Sequence, residues 1–400
     1  FSIRIILKMQ IVNKNSIALA LIYLAIVIIT LIPFGRGNIS GLEVSFPFFI
    51  FAIFFLLVKK NKVYDISFFA NLFFTLWAVW VLCGITYSYF TFPGGVDHQA
   101  SYLRYIRLLE MYLPGCMILS LLGELPNSVH KKIVYLLILL FVIVTLEATV
   151  GFVSQSDLLT ATQMYKYPGF GYVFRAGGVA KDSSAYGSLV FLLGITALIE
   201  LRRIRTNNRL LSFIIISCLL INIYISMSRS LIVSVALYFL IYICMEKKSR
   251  VKSFLILGVV SLVIFMYGLT NEYFLSFLNR LTGGEQTDIS SGRFSTWASL
   301  LVLIAENPIF GVGYRLTTEK YNLIPDNMFL SLLVETGIIG FILYFSFLTC
   351  LLIYVIKYNR DKFPLLVAYI FSGFFIDIST FWVSVPVLFF VLAIRSVGNE

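Results

Sequence analysis

Residues 288–340 read DISSGRFSTWASLLVLIAENPIFGVGYRLTTEKYNLIPDNMFLSLLVETGIIG, the longest stretch outside the apolar runs, and they gather Arg293, Arg315, Asp326 and Glu335 beside hydrophobic segments. Starting at Arg293, the apolar residues Phe294, Trp297, Leu301 and Ile304 recur at helical spacing, which predicts a short helix at a lipid boundary, ended by Asn307-Pro308. Gly311-Val312-Gly313-Tyr314-Arg315 then supplies flexible backbone, and Pro325-Asp326 reads as the start of a new helix with Asp326 as its N-cap. On that helix Asn327, Ser331 and Glu335 stand four apart, a polar stripe on one face, with roughly 13 Å of helix between Asp326 and Glu335.

The rest of the chain supplies the membrane. It is 59% hydrophobic and 13% charged, with a mean hydropathy of +0.92, and it holds many apolar runs near the ~20 residues that a bilayer span needs. This predicts an all-α polytopic membrane protein, a single domain over residues 1–400, with about twelve transmembrane helices near 16–34, 42–58, 65–90, 102–123, 133–153, 185–201, 210–227, 230–246, 253–270, 327–356, 364–380 and 381–395. The net charge of +11 does not point to nucleic acid, because charge in short loops on one side follows the positive-inside rule. With both termini cytoplasmic, twenty of the 31 lysines and arginines fall on the inner side: Arg4, Lys8, Lys14, Lys59, Lys60, Lys62, Lys131, Lys132, Arg202, Arg203, Arg205, Arg209, Lys247, Lys248, Arg250, Lys252, Lys357, Arg360, Lys362 and Arg395. The other eleven either sit in solvated loops or serve a site.

Residues 1–8, FSIRIILK, precede Met9 and are set aside as an expression scar or an upstream reading of the frame, and the first span is read as retained. Cys83, Cys116, Cys218, Cys244 and Cys350 lie in or beside apolar spans without paired spacing, and His98 and His130 fall on opposite sides, so neither a disulfide framework nor a metal site is expected. Two outward loops exceed ordinary connections, 154–184 and 271–326, the second with its short interfacial helix.

The first loop carries Arg175-Ala176-Gly177-Gly178 and then Lys181-Asp182. Glycine N–H groups beside a guanidinium can meet one anion, or the glycines can be an ordinary turn. Arg229, in Ser228-Arg229-Ser230 between two spans, either snorkels to headgroups or faces a ligand cavity. Arg104, Arg107 and Glu110 share a helix face, which suggests an Arg107–Glu110 pair.

Three of these features together resemble the O-antigen ligase and polymerase family: Arg175 to Gly178 before a span, Ser228-Arg229-Ser230 between spans, and the outward segment from Gly292 to Gly340. The ligase signature is a histidine, then Asn, Ser or Gln, nine residues, Gly, two residues, and Gly, Thr or Tyr. Here Asp326-Asn327, residues 328–336, Gly337 and Gly340 fit, with aspartate in the place of histidine. The resemblance implies a membrane fold similar to the GT-C glycosyltransferases, in the bacterial inner membrane, with two long periplasmic loops and a periplasmic active face. Because aspartate replaces the ligase histidine, the polymerase is favoured over a ligase that transfers glycan to lipid A core. The implied substrates are donor and acceptor glycans on undecaprenyl diphosphate. Membrane lipid and a chain-length regulator protein are further partners, with no cofactor, metal or nucleic acid.

The implied chemistry suits the residue types. Arginine forks match the oxygens of a diphosphate leaving group, for which Arg175, Arg229, Arg293 and Arg315 are the candidates. A carboxylate can accept the acceptor proton, Asp326 or Glu335, unless Asp326 is only a cap and Glu335 only an arginine partner. Lys181, Tyr314 and Asn327 are the candidate substrate-binding residues. The competing class is a polysaccharide or lipid transporter, whose broken helices and repeated halves are not visible in the sequence. In a background lacking the five cysteines, single cysteines at Gly169 and Gln286 should react with an external impermeant thiol reagent and one at Asn207 should not; labelling at Asn207 in sealed cells would reverse the orientation.

Overall fold

The structure, a computed structural model, describes residues 2–31, 41–57, 65–91, 98–122, 125–154, 162–167, 171–180, 182–204, 208–245 and 293–395. The expected span 253–270, the first part of the second long loop and Lys181 lie outside the described residues. In chain order the helices are α1 (Ser2–Leu31), α2 (Gly41–Leu57), α3 (Asp65–Thr91), α4 (His98–Leu121), α5 (Asn127–Ser154), α6 (Ser183–Arg203), α7 (Arg209–Ser226), α8 (Arg229–Met245), α9 (Arg293–Glu306), α10 (Leu316–Tyr321), α11 (Met328–Tyr358), α12 (Phe363–Ser372) and α13 (Ser384–Ala393). Within the first long loop, β1 (Thr162–Tyr167) and β2 (Gly171–Ala176) form an antiparallel hairpin, the one departure from an all-helical reading among the described residues.

Five of these helices, α3, α5, α6, α7 and α11, are long and apolar enough to cross a membrane. Helix α1 begins at Ser2, well before the expected start near 16. The last two expected spans contain α12 and α13, only 10 residues each, shorter than a span needs. Between them residues 373–383 make a corner that carries Asp377.

Helix α6 is apolar on all sides and is buried accordingly, packed against α5, α7, α8, α12 and α13. Polar groups pin it at two levels. The Tyr186 hydroxyl donates to Asn222 of α7, and Asn222 Nδ2 donates to Thr145 of α5 at 2.8 Å. Near its other end, buried Glu200 meets Lys362 Nζ at 2.5 Å and His130 Nε2 at 2.8 Å. Lys362 also donates to the Val391 and Ile394 carbonyls at 2.7 and 2.8 Å, which closes the end of α13.

Helix α11 is broken, contrary to the expectation of unbroken spans. At Gly337 the backbone takes φ 65°, ψ −174°, a region essentially restricted to glycine. The freed backbone groups find partners from elsewhere. The Val334 carbonyl accepts from Val312 N at 2.8 Å, the Glu335 carbonyl from Gly313 N at 3.2 Å, and Ile338 N donates to the Pro308 carbonyl at 2.8 Å. Trp80 Nε1 of α3 donates to the Thr336 carbonyl at 2.9 Å. A buried backbone group left unpaired in an apolar setting costs several kcal/mol, so these four substitute bonds are what permit the break.

The approach is close enough to demand glycine twice. A Cβ on Gly337 would lie 2.0 Å from the Ile309 carbonyl oxygen, and one on Gly311, at φ +70°, would lie 2.6 Å from the Val334 oxygen. Gly337→Ala should therefore destabilise the detergent-purified protein by roughly 3 kcal/mol or more. Gly84→Ala, whose Cβ would stand 3.5 Å from the Phe310 oxygen, should leave the thermal midpoint nearly unchanged. Equal midpoints for the two variants would remove the break as a packing requirement.

Candidate active site

The segment between α9 and α11 is held against the broken helix. Leu300 and Leu303 of α9 pack with Val312 and Val334, with Trp297, Ile304, Leu323 and Leu330 partly buried around them. Of the expected stripe, Trp297 and Ile304 turn towards this cluster, while Phe294 and Leu301 are 65% and 57% exposed. Arg293 and Trp297, one turn apart, share a face.

Arg293 Nε donates to Asp326 Oδ2 at 3.2 Å, and the Asp326 side chain is 41% exposed. Beside this pair lies a cavity of about 250 Å³ whose described lining, besides Arg293 and Asp326, is Thr296, Trp297, Asn322, Leu323 and Ile324. Asp326 is not the N-cap expected of it. Asn327 is, its Oδ1 accepting from Phe329 N at 2.9 Å and Leu330 N at 3.1 Å, while its Nδ2 donates to the Phe374 carbonyl at 3.2 Å. That leaves the Asp326 carboxylate to the arginine and the cavity.

Arg315, Tyr314 and Glu335 form a separate group. The Arg315 guanidinium lies 3.7 Å from Asp377 Oδ2 and beside Glu335, and it hydrogen-bonds Tyr314. Burial opposes its charge, but Glu335 and Asp377 outweigh that and raise its pKa, so it stays protonated. Burial raises the Tyr314 phenol against the pull of Arg315, so Tyr314 stays neutral. Buried Glu335 accepts from Thr317 Oγ1 at 2.9 Å. Two carboxylates face one guanidinium here, which leaves no net positive charge to offer a diphosphate. Asn327, Ser331 and Glu335 all point inward, with Ser331 donating to Asp377 Oδ2 at 3.0 Å.

Asp377 was not among the sequence candidates. Its Oδ1 also accepts from Ser379 N at 3.2 Å and Ser379 Oγ at 2.5 Å, so it ties the α12–α13 corner to α11 and to Arg315. The available signal was a lone carboxylate inside an apolar run.

Arg175 is 8% exposed and donates to the Ser226 and Met227 carbonyls at 2.9 and 3.1 Å. It thus caps the end of α7 and supports the corner from which Arg229 opens α8, with Met227 at φ 46°. An arginine spent on backbone carbonyls is poorly placed to bind a diphosphate directly. Arg107 hydrogen-bonds Glu43 at 3.1 Å while Glu110 stays within its field, and Arg104 pairs with Glu319 at 2.5 Å, linking α4 to α2 and α10.

Residues 214–345 match the family model described as O-Antigen ligase. The chain is also 22% identical over 332 residues, 78% of its own length and 81% of the other's, to a protein named O-antigen polymerase from Salmonella muenchen. Both matches support the O-antigen ligase and polymerase family, and with the five long apolar helices they support a membrane-embedded bacterial protein. The family match takes in Arg229, Arg293, Asp326 and the break at Gly337.

The different duties of adjacent residues can be separated by stability. Asn327→Ala should cost about 1 kcal/mol or slightly more through the lost cap. Asp326→Asn, which removes only a partly exposed ion pair, should change stability by less than about 1 kcal/mol. Thermal unfolding in one detergent would show the order, and the reverse order would return the cap to Asp326.

Proposed function

We propose that the protein is a glycan polymerase, which joins repeat units carried on undecaprenyl diphosphate at the outer face of the bacterial inner membrane. The family matches support O-antigen polymerisation or ligation. The observation that favours this reading of the site is the Arg293–Asp326 pair, 3.2 Å apart at the rim of a polar cavity, while Arg315 and Glu335 are committed to internal partners.

In the proposed step, an acceptor hydroxyl oxygen attacks the anomeric carbon of the donor sugar. The bond from that carbon to the diphosphate oxygen breaks, and the diphosphate leaves with the electron pair. The hydroxyl proton passes to the Asp326 carboxylate. Arg293 and Arg229 hold the diphosphate charge as it develops, with Arg175 acting through the corner that carries Arg229. Arg293 moves from Asp326 to the phosphate oxygens, which frees the carboxylate as the donor is seated. Because guanidinium groups carry the leaving-group charge, the scheme needs no metal. The description of the matching family model favours, as a second reading, transfer to a lipid A core acceptor by the same chemistry.

Cells lacking the gene should keep glycolipid with at most a single repeat, and restored expression should return a ladder. Bare core with long chains still on the carrier would favour the ligase, and repeat units confined to the cytoplasmic leaflet would favour a transporter. Asp326→Asn should abolish the ladder at normal expression. Arg293→Lys should slow transfer at least about tenfold, since one lost charged hydrogen bond is worth roughly 1.5–3 kcal/mol. A wild-type ladder from both variants would overturn these assignments.

A further inference from the structure

We infer that the cavity beside Arg293 and Asp326 is a subsite for one sugar ring of the acceptor glycan, with Trp297 as its platform. The inference rests on the polymerase reading and adds the ligand class and a specificity residue. Three observations carry it.

The first is charge. Among the described residues the cavity wall carries one cation, Arg293, which Asp326 already neutralises at 3.2 Å. The rest of the described lining, Thr296, Trp297, Asn322, Leu323 and Ile324, is uncharged. A diphosphate seated inside would be poorly compensated, whereas a neutral polyol would not be. Arg293 at the edge can still reach a phosphate outside the cavity.

The second is size. About 250 Å³ falls just below the roughly 300–1,000 Å³ of drug-sized ligand pockets, which fits one ring and not a repeat unit or a polyprenyl chain. The third is Trp297. Its indole lines the cavity, and its Nε1–H is buried with no hydrogen-bond acceptor among the described residues. An unmatched buried donor is rare and marks the indole as the unusual member of the lining. The electron-rich indole face suits the C–H face of a pyranose, while the Asn322 amide and the Asp326 carboxylate provide partners for ring hydroxyls. A hydroxyl on such a ring would stand beside the proposed proton acceptor.

The test labels the intact protein with 5-fluorotryptophan, giving four fluorine resonances for Trp77, Trp80, Trp297 and Trp382, with Trp297 assigned by its loss in Trp297→Phe. Methyl glycosides of hexoses and N-acetylhexosamines are titrated at millimolar concentration, and sodium pyrophosphate in parallel. At least one glycoside should shift the Trp297 resonance saturably, with pyrophosphate leaving it in place. In turnover, Trp297→Ala should slow elongation at least fivefold at low acceptor and recover at high acceptor, a KM effect. A shift produced by pyrophosphate alone, no shift by any glycoside, or elongation unchanged in Trp297→Ala would each overturn the subsite. Saturable glycoside binding in a protein whose deletion spares the ladder would uphold the subsite and sink the polymerase reading. Loss of the ladder with no glycoside response would do the opposite.

Discussion

The paired break in α11 is the constraint on which the site depends. At Gly337 the helix gives up its own hydrogen bonds, and the strap of residues 308–313 together with Trp80 takes them over. In a setting without water, those exchanged bonds leave the strap little freedom to shift, because each displaced contact would expose an unpaired backbone group. The strap in turn fixes where α9 and α10 begin and end, and so where Arg293 and Asp326 meet. Membrane-spanning helices tolerate such breaks only where protein covers the freed groups, and here the cover is the candidate site itself.

The charged residues divide by environment into two kinds. Glu335 and Asp377 are buried and together compensate Arg315; removing one member of such a group usually costs more than the group contributes. They join α11, the residue that opens α10 and the α12–α13 corner. Glu200, Lys362 and His130 play a similar part at the other end of α6. The Arg293–Asp326 pair differs in its carboxylate, 41% exposed where that of Asp377 is 8%, and in bordering a cavity. A pair of that kind is weak enough to exchange partners, as the proposed step requires.

Much of this was legible from residue order. The apolar runs marked α3, α5, α6, α7 and α11, Asn307-Pro308 marked the end of α9, and the segment 288–340 was already the place to look. The misses have physical causes. Asp326 and Asn327 are both good caps and are adjacent, so propensity alone could not choose between them. Gly337 inside an apolar run reads as a tolerated helix residue, because the carbonyl of Ile309 that excludes a Cβ comes from another part of the chain. Arg107 had a local partner in Glu110, but Glu43 lies on a neighbouring helix, 64 residues away, and only packing reveals it. The nine residues of the signature between Asn327 and Gly337 acquire a meaning as well: they are the two and a half turns from the cap to the break.

The central claim is that this outward segment transfers glycan between lipid carriers. The direct measurement is reconstitution of the purified protein in lipid nanodiscs with carrier-linked repeat units, in chelator and without nucleotide sugar, with products resolved by mass spectrometry. The account predicts carrier-linked products longer by whole repeats and release of the free diphosphate carrier in equal amount. Unchanged substrate in protein shown to be folded would contradict it.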